Sequence, residues 1–134
     1  MGSVKFLIFY LLSGVVAGLA QTFFNQGSHV PMVGASGAIA GLMGAYLITF
    51  PKARIHSLVF IFVFITRIDI PALFFLPYWF LTQLFNGVGS IGYANVNDGG
   101  TAWFAHIGGF VAGMLIATMF GTRKRYTGRR DISW

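Results

Sequence analysis

The feature that most constrains this chain is the placement of its few charges. Basic residues stand at Lys5, Lys52, Arg54 and Arg67 and in the tail Arg123-Lys124-Arg125 with Arg129 and Arg130. Long apolar runs lie between them. Charged residues make up 9% of the chain and apolar residues 56%, against about 25% and about 45–50% in soluble domains. So few charges cannot coat a globular surface, and the chain reads as an integral membrane protein rather than a soluble domain with an unusually apolar core. A net charge of +6 would ordinarily raise nucleic acid as a partner. Here the cations bracket apolar segments, so they read as topology signals, and no nucleic acid is expected. The 134 residues allow at most one domain, and none is cysteine. That excludes disulfides and thiolate metal sites and leaves the compartment open.

The expected fold class is an all-α membrane protein, a polytopic transmembrane helix bundle. About four spans are read near residues 4–24, 36–50, 71–88 and 102–120, with a basic cytoplasmic tail over 121–134. The first run, Val4 to Phe24, could be a signal peptide, with Lys5 as its basic head and Gly18-Leu19-Ala20 as a small-residue cleavage site. A span is favoured because further apolar segments follow and because Ser13, Gly14, Ala17 and Gly18 suit helix packing. The loops 25–33 and 89–101 carry no Lys or Arg and read as outside. Both termini then lie inside. Leu58 to Ile65 is too short to span and is followed closely by Arg67 and Asp69. It reads as an interfacial or partly extended connector, with a single bent span into the next segment as the alternative. Pro71 suits a first helical turn, and Pro77 should kink the third span.

Two small motifs carry the chemistry. Gly34-Ala35-Ser36-Gly37 opens the second apolar run, and Ala105-His106-Ile107-Gly108-Gly109 opens the last. Ser36 precedes Lys52 by 16 residues and His106 precedes Arg123 by 17. At a rise of ~1.5 Å per residue both lie ~24–26 Å above their inner anchors, within a hydrocarbon core of ~30 Å. They are therefore expected at matching depth, just below the outer surface. Gly37-x-x-x-Gly41 with Gly44, and Gly109-x-x-x-Gly113, are small-residue patterns that let helix backbones approach closely. If those stripes pack together, serine and imidazole meet at one end of the seam.

Serine is a weak nucleophile without an adjacent base, and histidine is suited to take and return its proton. Ser36 at a helix head also has unpaired amides beside it, so the Ser36 and Gly37 N–H groups could hold an oxyanion. Asp69, Asp98 and Asp131 all read as loop or tail, so the arrangement would be a dyad and not a triad. The bland alternative makes Ser36 a capping and packing residue and His106 an interfacial side chain. The spacing around Ser36 is not that of a nucleophile elbow.

With those residues in view, the chain resembles the rhomboid intramembrane serine proteases. The family's Gly-x-Ser-Gly at the head of its fourth helix is matched by Gly34-Ala35-Ser36-Gly37. Its histidine followed by Gly-x-x-x-Gly on the sixth helix is matched by His106 with Gly109 and Gly113. The resemblance to bacterial members covers nearly the whole chain. It implies the third to sixth helices of a six-helix core, and a multi-pass protein of the bacterial inner membrane. It further implies hydrolysis of membrane-protein substrates near the outer end of a span, at a small residue in a helix that unwinds easily. Ser36 would be the nucleophile and His106 the general base and acid, with no metal and no cofactor. The partners implied are transmembrane substrates and the bilayer, with the oligomeric state open. The bulky residues Tyr78, Trp79 and Phe80, with Phe85, match a possible lateral substrate gate, or else form a lipid-facing aromatic belt. Residues 89–101 would be a cap loop.

The sequence departs from the family in two places. The second-helix His-x-x-x-Asn motif has no counterpart, since His29 and His56 have nothing suitable after them and read as solvated loop residues. The chain is expected to be either a fragment or a natural short form. Loss of an oxyanion donor would cost ~10²–10³ in rate. Ala40 stands where some members have a tyrosine stacked on the histidine, so His106 must be oriented by something else. Two other functions compete with this one: a rhomboid-like protein that binds client helices without cutting them, and a transporter. The transporter is disfavoured because no ionisable pair lies mid-membrane beside His106.

Overall fold

The computed structural model describes residues 2–24, 26, 35–92 and 102–121. Gly34, His29, Asp98, Asp131, the segment 93–101 and the basic tail lie outside the described residues. The described residues form four helices and one hairpin: α1 (Ser3–Phe24), α2 (Ser36–Thr49), β1 (Arg54–Ile61), β2 (Phe64–Pro71), α3 (Ala72–Gly92) and α4 (Trp103–Met119).

The helices pack through small residues. α1 buries Phe9, Ser13, Ala17 and Gln21, one stripe with a period of four. Its outward faces remain apolar, with Val4, Leu7, Leu11, Val15 and Leu19 all exposed, as lipid-facing positions would be. Of the small residues expected to pack, Gly14 meets α2, where a Cβ would lie 3.4 Å from the Ala38 Cβ, but Gly18 does not: a Cβ added there would meet nothing within 4 Å. α2 and α4 run in the same direction and touch backbone to backbone. A methyl group at Gly37 would press on Ala17 of α1 and touch Ala105 at ordinary contact distance, one at Gly41 would press on Ser13 and Gly109, and one at Gly44 on the Phe110 carbonyl. The same seam seen from α4 sets Gly109 on the Gly37 carbonyl and Gly113 on the Gly41 carbonyl. α1 runs the opposite way, with Ala20 beside Gly108, Ala17 beside Gly37 and Ser13 beside Gly41. α3 is also antiparallel to α4. Gly87 adjoins Trp103 and Ile107, while Leu76 and Ala72 join Ala40 and Phe110 in the core.

Length separates these helices. α1, with 22 residues, is long and apolar enough to cross a bilayer, whereas α2 and α4 are shorter apolar helices of 14 and 17 residues. At ~1.5 Å per residue α2 extends ~21 Å. It stops where Phe50 caps it, just before Pro51. α4 ends on Phe120 with Gly121 in the left-handed region at φ 61°, a helix-terminating conformation that glycine adopts without steric cost.

The all-α expectation is corrected by the hairpin. β1 and β2 pair antiparallel from Arg54↔Pro71 to Ile61↔Phe64. Residues 55–70 are thus extended on both sides of a turn. The sequence is rich in Val, Ile and Phe, which favour strands, but its tip does not alternate, so periodicity could not identify it. His56 and Asp69, read as loop residues, face each other across the hairpin, Nδ1 to Oδ1 at 2.6 Å. Pro71, expected in a first helical turn, closes β2 instead. The first amides of α3 take outside acceptors: Ala72 N–H donates to the Ala53 carbonyl at 2.8 Å and Leu73 N–H to that of Pro51 at 3.1 Å. Pro77 lies inside α3, and 89–92 continue that helix rather than starting a loop.

The turn itself is strained. Phe62 has φ 53° and is 100% exposed, although the left-handed region costs ~1–2 kcal/mol for most residues. Asparagine tolerates that region better. Phe62→Asn is expected to stabilise the protein by about 1 kcal/mol, read as a higher thermal midpoint in detergent. A lowered midpoint would show that the phenylalanine ring contributes more than its backbone costs.

Candidate active site

The seam sets the height of both sequence-predicted chemical residues. Ser36 is the first residue of α2 and is exposed; the N-cap position is Ala35, which makes no side-chain cap bond. Gly37, the next residue, is packed so that an added Cβ would lie 3.4 Å from the Ala105 carbonyl oxygen and 3.6 Å from the Ala105 Cβ. His106 directly follows Ala105. The two motifs are therefore brought to adjoining turns of neighbouring helices. The side chains diverge, however. Ala105, Gly109 and Gly113 face α2, while His106, half-buried, turns toward α3. Among the described residues no hydrogen bond joins Ser36 to His106.

At the head of α2 the first amides lie ahead of the helix's own hydrogen bonds. Among the described residues the first to bond back along this helix is Ile39, whose N–H donates to the Ala35 carbonyl at 3.0 Å. The Ser36 and Gly37 N–H groups precede it and point out of the helix end, where the dipole favours negative charge. At the head of α4 the corresponding problem is solved across helices. Ala105 N–H donates to Oε1 of buried Gln21 on α1 at 3.0 Å, and His106 N–H donates to the Ala102 carbonyl at 3.1 Å. Gln21 thus ties α1 to the turn that carries His106. Gln21→Leu would leave the Ala105 N–H buried and unpaired, at a cost of about 1–3 kcal/mol. Faster hydrogen exchange at Ala105 and a lowered unfolding midpoint are expected; unchanged exchange there would contradict the assignment.

Among the described residues three groups hold the imidazole. Its Nδ1 lies 2.7 Å from Gln83 Oε1 on α3. The Trp79 ring leans on it with centroids 5.8 Å apart, and Trp103 meets it edge-on at 6.4 Å. These contacts supply the orientation that Ala40 cannot. Trp79 also packs on Phe110 at 5.9 Å, and Phe80 stacks on Phe110 at 5.0 Å. Tyr78 points away and is 68% exposed, and Phe85 is exposed as well. The three bulky residues considered as a gate thus divide, Trp79 and Phe80 inward against α4 and Tyr78 outward.

Gln83 and Gln21 were not singled out by sequence. Each is a lone amide in an apolar helix with no motif around it. The available signal was their rarity, since a polar side chain in an apolar span needs a partner. Among the described residues no cluster of acids, histidines or cysteines could hold a metal ion.

The description Rhomboid domain belongs to the family model that matches this chain, over residues 1–123. Comparison with curated proteins and with solved structures gives no match. With the match running from the start of α1 past the end of α4, the chain belongs to the rhomboid family of integral membrane proteins.

Proposed function

We propose that this chain carries the Ser36–His106 dyad of an intramembrane serine endopeptidase that hydrolyses peptide bonds in or near the transmembrane segments of membrane proteins. The observation that carries the reading is the Gly37–Ala105 contact, which sets the two motifs on adjoining turns of parallel helices. In the proposed reaction Ser36 Oγ attacks the scissile carbonyl while His106 accepts its proton. The Ser36 and Gly37 amides hold the resulting oxyanion. His106 returns the proton to the departing amine, leaving an acyl-enzyme. Water, deprotonated by His106, then releases the acid and restores the serine. Ser36 and His106 approach hydrogen-bonding distance when substrate is bound, since catalytic contacts tighten in the complex.

The same reading has α1 to α4 each crossing the membrane. The alternating direction of the helices supports it, because it brings Lys5 at the start of α1 and Lys52 just after α2 to the same side. The short α2 is accommodated by local thinning of the bilayer. α3 is the lateral gate, with Trp79 and Phe80 closing it against α4 and Tyr78 on the lipid side. Substrates are membrane-spanning segments, and the location is a bacterial inner membrane.

A second reading, binding of client helices without cleavage, is favoured by the missing hydrogen bond between Ser36 and His106. Incubating the protein in liposomes with single-span reporter proteins separates the two. Fragments that appear with the wild type and not with Ser36→Ala support the peptidase. Stable binding of the reporter without any fragment supports the second reading.

A further inference from the structure

Gln83 is 7% exposed, and its amide is oriented by its neighbours. Thr82 Oγ1 donates to the Trp79 carbonyl at 2.6 Å, so its hydroxyl proton is committed there. The Thr82 oxygen is then an acceptor, and Gln83 Nε2 donates to it at 3.2 Å. That leaves Gln83 Oε1 facing His106 Nδ1 at 2.7 Å. A carbonyl oxygen has no proton to give, so the hydrogen in this contact belongs to Nδ1. A neutral imidazole carries a single ring proton. With that proton on Nδ1, Nε2 keeps its lone pair. Trp79, Thr82 and Gln83 all lie on one turn of α3, so the imidazole's contacts there form one built unit, completed by the Trp79 ring.

We propose that Gln83 is a positioning residue that holds His106 in the Nδ1–H tautomer and so presents Nε2 as the base for Ser36. The inference rests on the dyad reading for its catalytic consequence, while the tautomer is a property of the resting protein. Gln83 takes the orienting place that a carboxylate fills in a triad, without adding a second charge inside the protein. It also links the chemistry to α3. When α3 moves away from α4, Nδ1 loses its acceptor and the base loses its preferred tautomer.

The test is nitrogen NMR of the histidine-labelled full protein in lipid, with His106 assigned by His106→Gln, and with helicity checked by circular dichroism. In the wild type His106 should show a protonated Nδ1 and an unprotonated Nε2. In Gln83→Met, which fills similar space without an acceptor, the Nδ1–H to Nε2–H population ratio should fall by about threefold to tenfold. Gln83→Glu restores an acceptor and should recover the preference. The rate at which a fluorophosphonate probe labels Ser36 should fall in Gln83→Met and recover in Gln83→Glu. A wild-type protein dominated by the Nε2–H tautomer would overturn the proposal without any variant. So would a ratio unchanged in a folded Gln83→Met protein. If the tautomer behaves as proposed while no form labels or cleaves, the Gln83–His106 pairing stands and the peptidase reading fails.

Discussion

Gly113→Ala is expected to separate α2 from α4 and to abolish function without touching either chemical residue. The added methyl group would collide with the Gly41 carbonyl, carbon and Cα, all backbone atoms. A side chain could rotate away from such a contact, but a helix backbone can yield only if the whole helix moves. Overpacking in a rigid interior costs about 1–3 kcal/mol, and a collision with backbone belongs at the upper end. Any displacement of α4 at Gly113 is carried up the seam to Gly109 and Ala105, and so to His106. Gly109→Ala should behave alike, because its methyl group would meet the Gly37 carbonyl. Gly18→Ala is the control. It has open space around it, and alanine favours a helix by up to about 1 kcal/mol over glycine. Thermal unfolding in detergent should therefore rank Gly18→Ala at or above wild type and Gly113→Ala well below it. Equal midpoints for the two would refute the close seam.

On the proposed mechanism Ser36→Ala is expected to remove hydrolysis by at least about 10⁴-fold, because it takes away the nucleophile. His106→Ala should lose about as much. The informative variant is the double one. Residues that act as a unit are non-additive, so Ser36→Ala with His106→Ala should be no slower than either alone. Two losses that multiplied would mean that the residues act separately. Ser36 is exposed, so Ser36→Ala should keep wild-type helicity and unfolding midpoint; His106→Ala should keep the helicity but lower the midpoint by the cost of leaving buried Gln83 Oε1 unpaired, about 1–3 kcal/mol. A collapse of stability in either would move that residue from chemistry to structure.

Much of this molecule could be read from residue types at fixed spacing. Small residues recurring every four positions mark a helix face, so Gly37, Gly41, Gly109 and Gly113 announced themselves as packing positions. Gly-x-Ser-Gly and the histidine with its glycines pointed to the family. Spacing could not reveal direction within a face. Ala105 rather than His106 lies toward α2, a rotation of about 100° per residue that decides whether serine and imidazole touch. Nor could spacing disclose Gln83 or Gln21, since a single amide has no period. The hairpin was legible only as a partly extended connector, and its pairing was not, for a different reason. Val59 to Ile65 is continuously apolar, turn included, so neither helical nor strand periodicity stands out. Its identity comes from pairing with residues up to 17 positions away, as in Arg54 with Pro71.

The central claim is that Ser36 is a nucleophile activated by His106. Labelling the full protein in liposomes with a fluorophosphonate probe, then locating the adduct by mass spectrometry, tests it most directly. The account predicts an adduct on Ser36 in the wild type and none in a folded His106→Ala protein. Folded wild type without an adduct, or equal labelling of Ser36 after His106→Ala, would contradict it.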